Sequence, residues 1–280
     1  AVFGAPPLGS RVLGEAEVIA SIPVPDIESY REGRYTGAQI VVGAAGHLDH
    51  DRIVGLAEKL VSPPAGGDGA GPEVALDGGG RFCFHQKETE QYHICFGAPG
   101  LRREDERRYP LAVLDAIFGG STSSRLFREV REKRGLAYSV GSYNEQFTDQ
   151  GLVATYVGTR EDNVEEACAI IGAELARLRS EPVSAEELTR AKESVKGRLV
   201  LSSESTAARM TRISRATLFG LPIESLDEML AKVDAVQVDD LTALASELYG
   251  AERLSAACVG GDEDHFRRAL APVSEALAAA

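Results

Sequence analysis

Residues 118–140 read FGGSTSSRLFREVREKRGLAYSV. Gly119 and Gly120 interrupt whatever precedes them, and the hydroxyls of Ser121, Thr122, Ser123 and Ser124 can accept hydrogen bonds from the free N–H groups of a helix beginning there. The sequence therefore predicts a helix from about Ser123. Leu126, Phe127 and Val130 fall on one apolar face, while Arg125, Arg128, Glu129, Arg131, Glu132 and Lys133 cover the rest. Basic residues crowd the last turn, where they favour the negative end of the helix macrodipole, and Gly135 stands just beyond as a stop. The period then changes: Leu136, Tyr138 and Val140 alternate with small residues, which is the pattern of a strand. A helix feeding a strand through a tight turn could bring Arg131 and Tyr138 to one surface, a fork of donors beside a phenol. A plainer alternative stays open on composition, in which Arg125, Arg128, Arg131, Lys133 and Arg134 are only a solvated helix face.

Outward from this stretch the same rules predict strands at 82–84 and 92–96 and a helix at about 104–118. Downstream follow a strand at 151–159 and helices near 162–179, 184–201, 207–218, 225–232 and 239–248, then a strand at 254–259 and a terminal helix. Ser184-Ala-Glu-Glu187 has the form of a capping box opening its helix. Near the start, a loop-like stretch leads to a short helical pattern at 15–22 and a helix from Asp26, read as its cap, to Arg34. An apolar run of strand length spans 38–45, and Ile53, Val54, Leu56, Ala57 and Leu60 recur at helical spacing after it. Residues 62–80, SPPAGGDGAGPEVALDGGG, hold almost nothing to bury and read as a flexible linker.

An internal repeat organises these elements. DIESYREGRYTGAQIVVGAAG at 26–46 aligns without a gap on DLTALASELYGAERLSAACVG at 240–260, an offset of 214. Asp26, Tyr35 and Gly46 match Asp240, Tyr249 and Gly260, and Ile27, Tyr30, Ile40 and Ala44 fall opposite Leu241, Leu244, Leu254 and Cys258. VFGAPP at 2–7 matches LFGLPI at 218–223, an offset of 216. Applied to a second copy that begins near Arg81, the offset places more than half of the first copy upstream of Ala1. The expected organisation is residues 1–62 as the C-terminal part of a first domain, 63–80 as linker, and 81–280 as a complete second domain.

Of the 280 residues, 44% are hydrophobic and 26% charged, which suits a globular protein. A net charge of −13 argues against nucleic acid or an anionic membrane as partner, since both need clustered positive charge. No apolar run approaches the roughly 18 residues that a membrane-spanning helix needs. Cys83, Cys95, Cys168 and Cys258 lack any C-x-x-C spacing and lie in apolar segments, so they are expected buried and reduced, in a cytoplasmic setting.

Metal chemistry finds little support in the residues. Neither H-E-x-x-H nor H-x-x-E-H occurs. His47-x-x-His50 lies at a strand end and helix start and suits turn and capping duty; Gly261 and Asp264 stand at its repeat-equivalent positions. His85, close to Glu88 and Glu90, and His93 are expected on neighbouring strands as half-exposed positions. Gly119-Gly120-Ser121-Thr122 could hold an anion on backbone N–H groups, but it lacks the G-K-[ST] of a P-loop, and capping explains it more simply. No G-x-S-x-G elbow is present.

SSRLFREVREKRGLAYSV at 123–140, preceded by ICFGAPG at 94–100 and PLAVLDAIFGGS at 110–121, closely resembles the second domain of the M16 family of zinc peptidases. AVFGAPPLGSRVLG at 1–14 and IVVGAAGHLDHDRIVGLAEKL at 40–60 resemble the latter part of the family's first domain, so the likeness covers essentially the whole chain. The resemblance implies an α+β fold, an antiparallel sheet packed by helices, with one complete copy and the C-terminal part of another. It implies that zinc belongs to the full-length protein, on an H-x-x-E-H upstream of Ala1, and that this chain binds none and cleaves nothing alone. The pattern of an Arg seven positions before a Tyr implies that Arg131 and Tyr138 grip the backbone of a peptide or unfolded polypeptide; Arg134 is the rival for the first role. Implied partners are the missing catalytic segment or a zinc-bearing sister subunit, in a homo- or heterodimer. Two other roles fit the resemblance: the noncatalytic subunit of a heterodimeric peptidase, or a scaffold without peptidase activity.

Overall fold

The computed structural model describes residues 1–5, 7–60 and 80–279. The linker expected at 63–80 lies outside the described residues except for Gly80. Contacts divide the chain into two units, one drawing on Ala1–Gly9, Ala75–Gly197 and Leu230–Ala280, the other on Ser10–Val74 and Arg198–Met229. These units cut across the boundaries expected at 62 and 81, because the first residues pack with the larger unit and residues 198–229 with the smaller.

The larger unit is built on five strands: β1 (Phe82–Gln86), β2 (Tyr92–Pro99), β3 (Ala137–Gln146), β4 (Gly151–Thr159) and β5 (Ser255–Gly260). They lie in the order β1-β5-β2-β4-β3, antiparallel at every pairing except β1 with β5. The strand from the far end of the chain thus occupies an interior position, with neighbours on both sides. Along β2 alternate residues Tyr92, Ile94, Phe96 and Ala98 are buried, as the two-residue period of a strand requires. The helices packed here are α4 (Arg108–Phe118), α5 (Val164–Ser180), α9 (Val238–Leu248) and α10 (Glu263–Ala269). Leu114, Phe118, Ile171, Leu241, Leu248 and Phe266 complete the core, each under 2% exposed. Residues at the chain start close part of the same unit: Phe3 meets the Phe147 ring edge-on at 6.0 Å, and Arg81 donates to the Val2 carbonyl at 3.0 Å.

The smaller unit holds α1 (Ala16–Ser21), α2 (Val24–Arg34), α3 (His50–Leu60), the end of α6 (Ala185–Glu204), α7 (Thr206–Leu218) and the start of α8 (Leu226–Ala235). None of α1, α2 or α3 buries a residue fully. Asp26 does not cap α2: it sits in the first turn, and the helix begins behind Pro23. The apolar run at 38–45 forms no strand. Gly37–Gln39 make a single 3-10 turn and residues 40–45 continue without pairing. Gly43 comes so close to α7 that a Cβ there would fall 1.8 Å from Ser214 Oγ and would force that hydroxyl to turn away.

The repeat is visible in this geometry. α2 and α9 have the same bounds once shifted by 214, as do the ends of α1 and α8. Gly4 and Gly220, offset by 216, both have φ +65°, a left-handed conformation open to glycine at little strain.

Candidate functional site

Of the four hydroxyls before the opening helix, Ser124 alone caps it. Its Oγ accepts from Phe127 N at 3.3 Å and its carbonyl from Arg128 N at 3.1 Å. The helix therefore starts at Arg125, two residues later than the sequence predicts. Gly119 and Gly120 serve close packing: a Cβ on Gly119 would lie 2.4 Å from Ser142 N, and one on Gly120 2.3 Å from an Asp115 oxygen. Ser142 Oγ donates to Asp115 Oδ1 at 2.5 Å, tying β3 to α4 at this crossing.

From Phe127 to Glu132 the helix widens to π winding, and Lys133 N reaches back five residues to Arg128 O at 2.9 Å. Gly135, at φ +63°, ends it, and the N–H groups of Gly135 and Leu136 return to the carbonyls of Arg131 and Val130. Thr159 Oγ1 and Asn163 Nδ2 both donate to the Leu136 carbonyl, at 2.6 and 3.1 Å, which fixes the turn. β3 then opens with a bulge: Ala137 pairs with Thr159 and Ser139 with Gly158, leaving Tyr138 as the extra residue. A bulge re-aims a side chain, and π turns do the same for a helix.

Together these two irregularities seat Arg131 against Tyr138. The guanidinium carbon lies 4.3 Å from the centroid of the Tyr138 ring and 4.9 Å from that of Phe127, so the group is held between two aromatic faces. Arg131 Nη1 donates to the Tyr138 carbonyl at 2.8 Å. Tyr138 is 78% exposed, so its phenol faces solvent. Arg134 does not join them. It donates to the Glu129 carbonyl and to Glu129 Oε2, at 2.9 and 2.8 Å. The Lys133 ammonium at 2.5 Å, with Arg134 behind it, holds the Glu129 carboxyl below its usual range. Phe127, the second wall of the clamp, reads in the sequence only as an apolar-face residue.

Other residues singled out in the sequence are dispersed. His85 and His93 are not on neighbouring strands, because β5 lies between them; both pair with Val259 and so share one face, two strand spacings or roughly 10 Å apart. His93 Nδ1 instead meets the Tyr156 hydroxyl at 2.8 Å. His47 and His50 are both exposed. Among the described residues no group of three His, Cys, Asp or Glu side chains gathers to hold a metal ion, so the residues present do not fit zinc. Cys168 and Cys258 are buried, but Cys83 is exposed and Cys95 only half-buried, since alternation along β1 and β2 turns those two away from the helices. Among the described residues no helix is long and apolar enough to cross a membrane.

A family model described as the peptidase M16 inactive domain matches residues 21–195. The chain is 36% identical over 274 residues to a Streptomyces coelicolor protein described as an uncharacterized zinc protease, covering 94% of this chain and 59% of that protein. It is also 36% identical over 252 residues to the uncharacterized zinc protease YmxG of Bacillus subtilis, covering 89% and 61%. The chain thus spans about three fifths of the length of these relatives. A crystal structure of a peptidase M16 inactive domain from Pseudomonas fluorescens shares the fold, with TM-score 0.83 at 21% identity over 93% of this chain and 63% of that one. With the family's model covering more than half of its residues, and with a fold shared with a solved inactive domain of that family, this chain belongs to the M16 peptidase family, through the family's inactive domain.

Proposed function

We propose that this chain is the substrate-gripping, metal-free part of a zinc-dependent endopeptidase acting on peptides or unfolded polypeptides, and that Arg131 and Tyr138 hold the substrate backbone. The observation that carries this reading is the clamp itself. Arg131 is fixed by two rings and one hydrogen bond, yet its remaining N–H donors have no protein partner among the described residues. A guanidinium carries five donors and a phenol one, all complementary to peptide carbonyl oxygens. Because the side chains are already ordered, little rotamer freedom is lost when a substrate arrives. Preorganised donors of this kind favour a carbonyl oxygen as it gains negative charge, which is where such groups contribute most to rate. Bond cleavage belongs to zinc-binding residues outside this chain, on the same protein or on a sister subunit.

The test uses the full-length protein with its zinc. Arg131→Ala should lower kcat/KM on an unfolded peptide by about 100-fold, the lower end of the range seen when one transition-state donor is removed, and Tyr138→Phe, which removes a single neutral donor from an exposed ring, by about 10-fold. Zinc content, measured by atomic absorption, should stay the same in both. Unchanged turnover in both variants would sink the reading, as would stoichiometric zinc on the 280-residue chain alone.

A further inference from the structure

The helix that carries Arg131 also borders a cleft of about 340 Å3, within the size range of small-ligand pockets. Three elements line it: the helix from Arg125, α5, and the first turns of α6. Five cations face it, Arg125, Arg128, Lys133, Arg177 and Arg190. Against them stand three carboxylates, Glu129, Glu174 and Glu187, which leaves two positive charges in a chain whose net charge is −13. The start of a twenty-residue helix adds its positive end, since α6 opens here behind Ser184, whose Oγ accepts from Glu187 N at 3.2 Å.

Ser184 and Glu187 form only half of the expected capping box. The Glu187 carboxylate turns instead to Arg125, accepting from Nε at 2.9 Å and from Nη2 at 2.8 Å. Burial pushes the Glu187 carboxyl up, but the hydrogen bonds and charge of Arg125, with Arg190 and Arg177 beyond, outweigh it and hold the group below its ordinary range. Glu129 is engaged by Lys133 and Arg134, and Glu174 Oε1 by Arg177 at 2.8 Å. Arg128 is exposed and makes no ion pair among the described residues.

Two buried atoms of residues that line this cleft lack a protein partner among the described residues: Arg125 Nη1 and Glu174 Oε2. Their side chains are 11% and 6% accessible. Leaving such groups unpaired is costly, so each calls for a complement. Arg125 needs an acceptor, and an ionised Glu174 needs a donor. A sulfate or carboxylate supplies only acceptors. Inorganic phosphate near neutral pH supplies both, because it keeps a P–OH proton beside its anionic oxygens, and one hydrogen phosphate dianion matches the excess of two positive charges. We infer that the cleft among Arg125, Arg128 and Glu174 is a phosphate site, in which the guanidinium groups bind the anionic oxygens and Glu174 accepts the P–OH proton's hydrogen bond. The site is independent of the peptide-gripping role of Arg131 and Tyr138.

Discrimination between tetrahedral anions tests this. Isothermal titration of the 280-residue chain at pH 7.5, in a phosphate-free buffer of fixed ionic strength, should show saturable phosphate binding at least 10-fold tighter than sulfate. Glu174→Gln removes the charge that repels sulfate while keeping the side chain's size, and should collapse that ratio towards one. Arg128→Ala, at an exposed position that folding does not need, should weaken both anions about 10-fold. The source is separated by an ester arm using adenosine monophosphate. A phosphate monoester loses its last P–OH proton above about pH 6, so its binding should be weak at pH 7.5 and strengthen at pH 5.5 if the cleft takes esters as well. Ester binding that strengthens in this way supports a phosphoryl ligand; binding of free phosphate alone supports the inorganic ion. Equal affinity for sulfate and phosphate in the unmodified chain, no saturable binding of either, or binding that survives Arg128→Ala and Glu174→Gln unchanged would each overturn the site.

Discussion

The segment from α9 to α10 and the segment from α2 to α3 share their flanking helices and differ in the stretch between them. Leu241 and Leu244 of α9 are 0% and 2% exposed, whereas their counterparts Ile27 and Tyr30 on α2 are 51% and 62% exposed. The helices match residue for residue, so helix formation needs only local bonds and its own caps. The strand is another matter. Residues 255–260 lie between β1 and β2 and form β5, while the equivalent residues 41–46 have no strand beside them among the described residues and form none. An apolar run of strand length becomes a strand only when a neighbour takes up its backbone N–H and C=O groups.

The largest effect expected from this contrast comes from a charge placed in each run. Ala256 is fully buried and Val42 is 56% exposed. Ala256→Asp should abolish the cooperative unfolding transition, because an unpaired buried carboxylate costs several kcal/mol. Val42→Asp should shift stability by no more than about 0.5 kcal/mol. Should both be equally damaging in this chain, the contrast fails. In a longer form of the protein, a rise in the cost of Val42→Asp would show that the run has found its sheet.

A cavity sharpens the comparison next. Leu244→Ala is expected to cost about 2–5 kcal/mol by denaturant unfolding, in line with other buried leucine truncations, and Tyr30→Ala within about 0.5 kcal/mol. A matching loss at Tyr30 would mean that the outer face of α2 is covered in the folded chain.

The smallest effect lies in the alkaline limb. Burial pushes the thiols of Cys168 and Cys258 up to about 12 from an ordinary value of 9.0, with charge on neighbouring thiols a secondary cause. Below pH 9 each thiol is protonated whether the chain is folded or not, so its full contribution is present. As pH rises from 9 towards 12 the unfolded chain ionises first, and stability falls by up to about 1.4 kcal/mol per pH unit for each thiol. Ala44 stands where Cys258 has its counterpart and contributes no such slope. Replacing Cys258 by Ala should flatten the decline between pH 9 and 11, read from denaturant midpoints, and an unchanged slope would remove the thiol as its cause.

What the sequence made legible was whatever depends on near neighbours. The α2 and α9 helices, the β4 strand, the repeat and the seven-residue spacing of Arg131 and Tyr138 all rest on local period or on direct comparison of residues. What it hid depends on partners far along the chain. His85 and His93 read as neighbours because β1 and β2 are consecutive, and only the insertion of β5 between them, from some 170 residues away, separates them. Glu187 read as a cap because its spacing from Ser184 is right, but Arg125, 62 positions upstream, competes successfully for its carboxylate. The π winding and the Tyr138 bulge carry no periodic signal at all, although they are what seats the clamp.

That pair of irregularities has a mutational consequence. Each is one surplus residue absorbed into an otherwise regular element, the first ahead of Gly135 and the second after it. Deleting a single residue at either place would leave a neater backbone and a sound core, while swinging one aromatic or one guanidinium out of phase with the other. A single-codon deletion at either place is therefore enough to part Arg131 from Tyr138 while the buried core keeps its packing.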